Sequence, residues 1–188
     1  MGEENQGVAM PVLQWPHPIL KKKAAPVVTD VKTDRSVQTL LADMEATLLT
    51  NRAAGLAAPQ VGVSLRVIVV YDVPTGSVLK MVNPSIVPAT NGPTLFESEG
   101  CLSFVGTYTR VSRHAFVHAE YIDEDGEHQQ KLFVGPVARA IQHEIDHLDG
   151  KTFLDRVSRV ERESILQKNK QSKRRVKKVL KSLLAQDF

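Results

Sequence analysis

His143-Glu144-Ile145-Asp146-His147 constrains this chain more than any other stretch of it. On an α-helix, residues four apart stack on one face, so both imidazoles can reach a single divalent metal with the glutamate beside them. The pattern therefore asks for a helix here. It also asks for a fold that brings a further ligand to that helix, because catalytic metals usually take three protein ligands and leave one position for water. A chain with six histidines meets the pattern by chance about once in a hundred sequences of this composition. The competing reading is two surface histidines on an amphipathic helix with a salt-bridged glutamate. The neighbouring residues weigh against it. Gly135-Pro136 opens a helix that carries Val137, Ala140, Ile141, Ile145 and Leu148, and Gly150 is placed to end it. At about 100° per residue, Glu144 falls inside the stripe of Val137, Ile141 and Leu148, with His143 and His147 on its flank. A carboxylate facing a core is unfavourable unless a metal and its water compensate.

The third ligand has two candidate sources. One protease pattern places a histidine six residues after the second, but that position is Phe153. Another uses a downstream glutamate, and Glu161 and Glu163 are the glutamates that follow Glu144. Upstream, Glu99-Gly100-Cys101-Leu102-Ser103 contains the chain's only cysteine. A thiolate is a good ligand for zinc or ferrous iron, whereas a lone cysteine in isolation reads as a small buried hydrophobe. His17, His114, His118 and His128 have no partner at ligand spacing and read as structural or exposed.

The rest of the chain mixes helices and strands without a βαβ alternation, which favours an α+β fold. With 188 residues, 42% hydrophobic and 24% charged, one domain with a real core is expected. Residues 1–10 read as a flexible N-terminus, and residues 11–188 as a single catalytic domain. Asp34 can cap a helix to about Thr50 through Val37, Leu40, Leu41, Met44 and Leu48. Leu65 to Tyr71 and Leu79 to Asn83 read as strands around a turn at Pro74-Thr75-Gly76, and residues 84–95, with four breakers, as irregular. Ala115 to Ile122 and Glu127 to Val134 form a hairpin around Asp123-Glu124-Asp125-Gly126. A basic helix runs from about 159 to 185, with an apolar stripe of Val176, Val179, Leu180, Leu183 and Leu184. One cysteine excludes an internal disulfide. No apolar run approaches the roughly 20 residues of a membrane helix, and the start lacks the layout of a secretory or transit signal, so a cytoplasmic place is expected. Residues 1–155 hold 13 Lys+Arg against 18 Asp+Glu, a balance of −5, whereas residues 156–188 hold 11 against 3, a balance of +8.

Three segments together resemble peptide deformylase. They are Gly55-Leu56-Ala57-Ala58-Pro59-Gln60, Glu99-Gly100-Cys101-Leu102-Ser103 and Gln142-His143-Glu144-Ile145-Asp146-His147-Leu148, in the family's order and rough spacing. The likeness covers nearly the whole chain from Pro11. It implies small β-sheets packed around a central helix that carries the two histidines. It also implies hydrolysis of the N-formyl group from the formylmethionine of new proteins, with release of formate. On this likeness Cys101, His143 and His147 ligate one divalent metal. That metal is Fe2+ in the cell, and Zn2+, Ni2+ or Co2+ can replace it. Glu144 moves the proton, and Gln60 and the backbone N–H of Leu102 stabilise the oxyanion. Gly55, Gly100, Glu99 and Arg139 serve substrate binding, with N-formylmethionyl peptides added as an extra strand. By itself, Gln60 reads equally well as a loop amide paired with backbone, and Arg139 as a surface ion pair.

The chain departs from the family pattern where Ala53 replaces a common glycine and where Phe104-Val105 follows Ser103. No arginine appears there until Arg110 and Arg113. The basic tail has two readings, a ribosome-docking surface through Arg174, Arg175, Lys177, Lys178 and Lys181, or a helix packed on the body. No membrane partner and a monomeric state are expected. A zincin-like endopeptidase and a non-catalytic ribosome-binding protein stand as the rival functions.

Overall fold

The computed structural model describes residues 7–87 and 92–184, with side chains as far as Lys178. The element order is α1 (Arg35–Asn51), β1 (Gly55–Ala57), β2 (Val67–Asp72), β3 (Ser77–Ile86), β4 (Thr94–Gly100), β5 (Tyr108–His114), β6 (Phe116–Ile122), β7 (His128–Val134), α2 (Gly135–Leu148) and α3 (Arg159–Leu184). Five strands form one antiparallel sheet in the order β1-β2-β3-β6-β7, and β4 and β5 form a separate antiparallel pair. The architecture is the expected α+β.

Two helices cover opposite faces of the large sheet. Val37, Leu40, Leu41, Met44 and Leu48 of α1 pack with Leu56, Val67, Val69 and Val82. Val137, Ala140, Ile141, Ile145 and Leu148 of α2 pack with Ala57, Ile68, Val70, Met81, Ala119 and Tyr121. Alternate residues of β2 thus enter two different cores, which explains why Val67-Ile68-Val69-Val70 is apolar without a break. Asp34 caps α1 by accepting from the backbone of Ser36 and Val37, as its position predicts.

A third core of Phe104, Val111, Phe153, Leu154 and Ile165 lies under Cys101 and is where α3 docks. Phe104 stacks on Trp15 with centroids 5.4 Å apart and meets Phe153 at 4.7 Å. The Phe104-Val105 departure therefore supplies a core anchor. As far as Lys173, α3 is tied down by Ile165, by Glu161 accepting from the Thr109 hydroxyl at 2.7 Å, and by Lys173 donating to the Trp15 carbonyl. Arg174, Arg175, Lys177 and Lys178 are exposed, as is Val176. The side chains of Val179, Leu180, Lys181, Leu183 and Leu184 lie outside the described residues.

One expectation needs correction. Residues 84–95 are not irregular throughout, because β3 continues through Pro84 to Ile86 and β4 starts at Thr94. A bulge between Val82 and Ser85 makes this possible: Asn83 adopts φ 51, and its side-chain amide bonds both the N–H and the carbonyl of Val27. The β4–β5 pair and the three-residue β1 also escape hydropathy reading. Of the first ten residues, Met1–Gln6 lie outside the described residues, and Val8 and Met10 donate to Asp43 and Thr47 of α1.

Candidate metal centre

Helix α2 runs through the middle of the molecule. From Ala140 to Leu148 every residue of it is buried, except where solvent reaches a few per cent of a side chain. No side chain caps its first turn, which Gly135 at φ 58 and Pro136 begin. Gly150 ends it at φ 69, where a Cβ would come within 2.7 Å of the Lys21 carbonyl oxygen, so both conformation and space require glycine. The surface-histidine reading fails on this burial.

Cys101 leaves the end of β4 and folds back to the helix. One ligand atom from each of Cys101, His143 and His147 lies within 4.8 Å of the others, and they are the one Cys/His/carboxylate cluster of that kind among the described residues. Cys101 Sγ is 3.3 Å from His147 Nε2, and the two imidazoles meet edge to face at 5.1 Å. The downstream glutamates are elsewhere, Glu161 on Thr109 and Glu163 exposed beside Arg159. Phe153 is buried, with its ring 6.4 Å from that of His143.

The surroundings orient these groups. Glu99 accepts from His143 Nδ1 at 2.9 Å, which fixes the ring and leaves Nε2 as the nitrogen not bonded to Glu99. Glu99 is also held by Arg113 at 2.8 and 3.1 Å and by Arg139 at 2.8 Å. Burial alone would raise the Glu99 carboxyl, but its bonds from His143 and Arg113 win and keep it well below the usual carboxylate range. With no proton on Glu99, His143 must be the donor. Burial would likewise lower His143, and the bonds to Cys101 and Glu99 outweigh it and push it up. Burial, reinforced by the charge of His143, pushes His147 down to about 3, so its imidazole is neutral, as ligation requires. Asp146, one turn on from His143, accepts from Arg113 at 2.5 Å and from Arg156. Arg113 thus bridges Glu99 and Asp146 behind the histidines and is itself 3% exposed.

Glu144 is 3% exposed, and burial pushes its carboxyl up to about 7. Its Oε2 and the Nδ1 of His147 are buried with no hydrogen-bond partner among the described residues. Gly55 makes the room for this carboxylate, because a Cβ there would come within 2.5 Å of Glu144 Oε1. Gln60 is 1% exposed and pairs with backbone, as its loop-amide reading expects. Its Oε1 accepts from the Ala57 N–H at 2.8 Å, while Nε2 points to Cys101 Sγ at 3.5 Å and Ser103 Oγ at 3.3 Å.

These groups border a cavity of about 790 Å³. Ala53, Ala54 and Gly55 line one wall and Ser98, Glu99 and Gly100 another, with Arg139, Ala140 and His143 on α2. β1 and β4 each have one neighbouring strand among the described residues, so each brings an unpaired edge to the cavity. Arg139 both lines it and makes ion pairs, with Glu97 at 3.1 Å and with Glu99. The carboxylate of Glu99, expected to serve substrate, is committed to three protein partners.

Sequence reasoning missed the parts played by Arg113, Asp146 and Arg156, and the backing by residues 13–15. Leu13 and Trp15 donate to the Gln60 and Ser103 carbonyls, and Gln14 Nε2 donates to that of Leu102 at 2.8 Å. Asp146 had one available signal, a second acid on a helix that its own apolar residues mark as buried. Arg110, by contrast, is exposed over the Phe96 ring.

Comparison with known proteins agrees with this geometry. Residues 9–163 match the family model described as polypeptide deformylase. The chain is 42% identical over 161 residues to peptide deformylase 2 of Xanthomonas axonopodis pv. citri, covering 85% of this chain and 93% of that protein. It is 40% identical over 167 residues to the peptide deformylase of Xylella fastidiosa strain M12, covering 88% and 97%. Among solved structures, a peptide deformylase from Legionella pneumophila superposes with a TM-score of 0.82 at 38% identity, over 89% of this chain and 96% of that one. The Ehrlichia chaffeensis peptide deformylase in complex with actinonin gives 0.82 at 31% identity, over 89% and 99%.

Proposed function

The chain belongs to the polypeptide deformylase family, and from that premise we propose that Cys101, His143 and His147 hold one divalent metal beside Glu144. Its reaction is the family's metal-dependent hydrolysis of the N-formyl group from the N-terminal formylmethionine of newly made proteins, which releases formate.

The donor set fits a metal. One sulfur and two imidazole nitrogens, one ring neutral and the other fixed through Nδ1, suit zinc or ferrous iron, and nickel or cobalt can take the same ligands. We assign ferrous iron as the ion in the cell. When bound, the metal supplies Lewis acidity, polarising the formyl oxygen and making water a nucleophile at neutral pH. The chain's own residues do the rest. Glu144 takes a proton from the attacking water on its carboxylate and returns it to the departing amine nitrogen. Gln60 Nε2 and the Leu102 N–H donate to the oxyanion as charge develops, each contributing about 3 kcal/mol. Glu99, with Arg113 behind it, holds the His143 ring in the tautomer that leaves Nε2 for ligation. Gly55 and Gly100, at the edges of β1 and β4, bracket the formylmethionyl peptide as an added strand, and Arg139 borders the space for the methionine side chain.

The observation that carries this reading is the closeness of one thiol and two imidazoles to a buried, unpartnered glutamate oxygen. Anaerobic loading with iron or nickel, a formyl-Met-Ala-Ser assay and metal analysis test it. The wild type should turn over the peptide with one equivalent of metal, and Cys101→Ala should lose both. Turnover that survives in Cys101→Ala, or none in loaded wild type, sinks the assignment.

Residues 11–188 are read as one catalytic unit acting as a monomer in the cytoplasm, where newly made chains are met. The exposed cations Arg174, Arg175, Lys177 and Lys178 form a ribosome-docking surface on the second half of α3. Deleting residues 170–188 should abolish co-sedimentation with ribosomes at low salt, and unchanged co-sedimentation rules that surface out.

A further inference from the structure

Gly100 and Tyr108 are directly paired residues of β4 and β5. Side chains of such a pair point to the same face. Here one of the two has no side chain, and the Tyr108 ring lies over the gap. A Cβ on Gly100 would meet Tyr108 Cε1 at 2.6 Å and Cδ1 at 3.0 Å. The ring thus extends across β4 toward the strand's other edge, which no strand occupies among the described residues and which borders the cavity.

The face involved is the outer one. Glu99, one residue before Gly100, turns inward to Arg113 and His143, whereas Tyr108 is 72% exposed and lines the cavity mouth with Val105, itself 41% exposed. An exposed aromatic ring and an exposed branched aliphatic that line the same cleft are surfaces that gain by being covered. In a strand added along β4, side chains alternate between faces. A methionine directed inward to the cavity puts the next side chain outward, opposite Gly100, where the Tyr108 ring reaches it across the missing Cβ.

We infer that Tyr108 is a specificity-determining residue: laid over Gly100, it forms with Val105 an outward platform for the residue that follows formylmethionine, and it favours large apolar or aromatic side chains there. The inference rests on the deformylase reading above. Aromatic pairs of this kind contribute roughly 1 kcal/mol, which converts to about five-fold in kcat/KM.

The test is kcat/KM for formyl-Met-X-Ser with X = Ala, Asp, Leu and Trp, and for formyl-Met-Ala-X with the same X, on the metal-loaded wild type and on Tyr108→Ala. Each protein's rates are taken relative to its own rate on formyl-Met-Ala-Ser, and circular dichroism should show the variant folded, since the ring is exposed. In wild type, Trp and Leu at the second position should exceed Ala about five-fold, mainly through KM. The preference should collapse to within two-fold in the variant, and position three should show no such change. A preference that persists in Tyr108→Ala, that is absent from wild type, or that follows position three overturns the inference. Absence of turnover on formyl-Met-Ala-Ser by wild type instead overturns the deformylase reading beneath it.

Discussion

Helices α1 and α2 cover opposite faces of the same sheet, yet they are built by different rules. In α1 a side chain caps the first turn, Arg52 closes the last in the left-handed region, and the buried residues are apolar apart from Thr47. α2 has no side-chain cap and buries Gln142, His143, Glu144, Asp146 and His147 alongside its apolar residues. The side-chain cap and the apolar face of α1 both add stability. In α2, buried charge and an orphaned carboxylate oxygen are tolerated because Arg113, Arg156 and Glu99 neutralise their neighbours and a bound cation would complete the remainder. The sheet between them lets one helix stabilise a fold in which the other can keep a reactive site.

The sharpest break in this comparison is Glu144→Gln, which should lower kcat on formyl-Met-Ala-Ser by at least about 10²–10⁴-fold while metal content and melting temperature hold or rise. A fall in stability of the same order as a core truncation would mean that the glutamate is structural. The mirror experiment lies in α1. Met44→Ala, at a fully buried position, should cost about 2–5 kcal/mol in urea unfolding yet leave kcat per folded molecule unchanged. An altered kcat would show that the two faces are coupled. Between them stands Glu99→Gln, which weakens the hold on His143 and should reduce metal affinity about 10–100-fold in chelator competition, with Cys101→Ala far beyond it.

The smallest effect belongs to the α1 cap. Bonds from Ser36 and Thr29 hold the Asp34 carboxyl at about 2, below its ordinary 3.8. A carboxyl lowered in the folded state stabilises above the unfolded value and loses that contribution as pH falls through the folded one. The stability gap between wild type and Asp34→Ala should therefore be constant above about pH 5 and should close between pH 4 and 2. A gap that widens on acidification would remove Asp34 from the cap.

The same contrast explains what could be read in advance. α1, β2, the β6–β7 hairpin and α2 follow hydropathy period, cap and turn chemistry, all of which are local. The β4–β5 pair was missed because its inward residues include Thr109, Arg113 and Glu99, so burial there leaves no apolar alternation. Pro84 misled because a bulge frees it from the ladder. The meeting of Cys101, His143 and His147 was legible from helix spacing and a single thiol, but the place of Glu99 was not. Its position in the motif invited a substrate role, and only the tertiary arrangement shows both carboxylate oxygens occupied by Arg113, Arg139 and His143. The backing by residues 13–15 is likewise a long-range pairing with no local trace.

Gly55 has a consequence for inhibition. Any side chain at that position would collide with the Glu144 carboxylate, so the space above it cannot be narrowed by mutation without displacing that group. A compound that draws its affinity from contact with the bare backbone there would leave point changes at that position little room to weaken it.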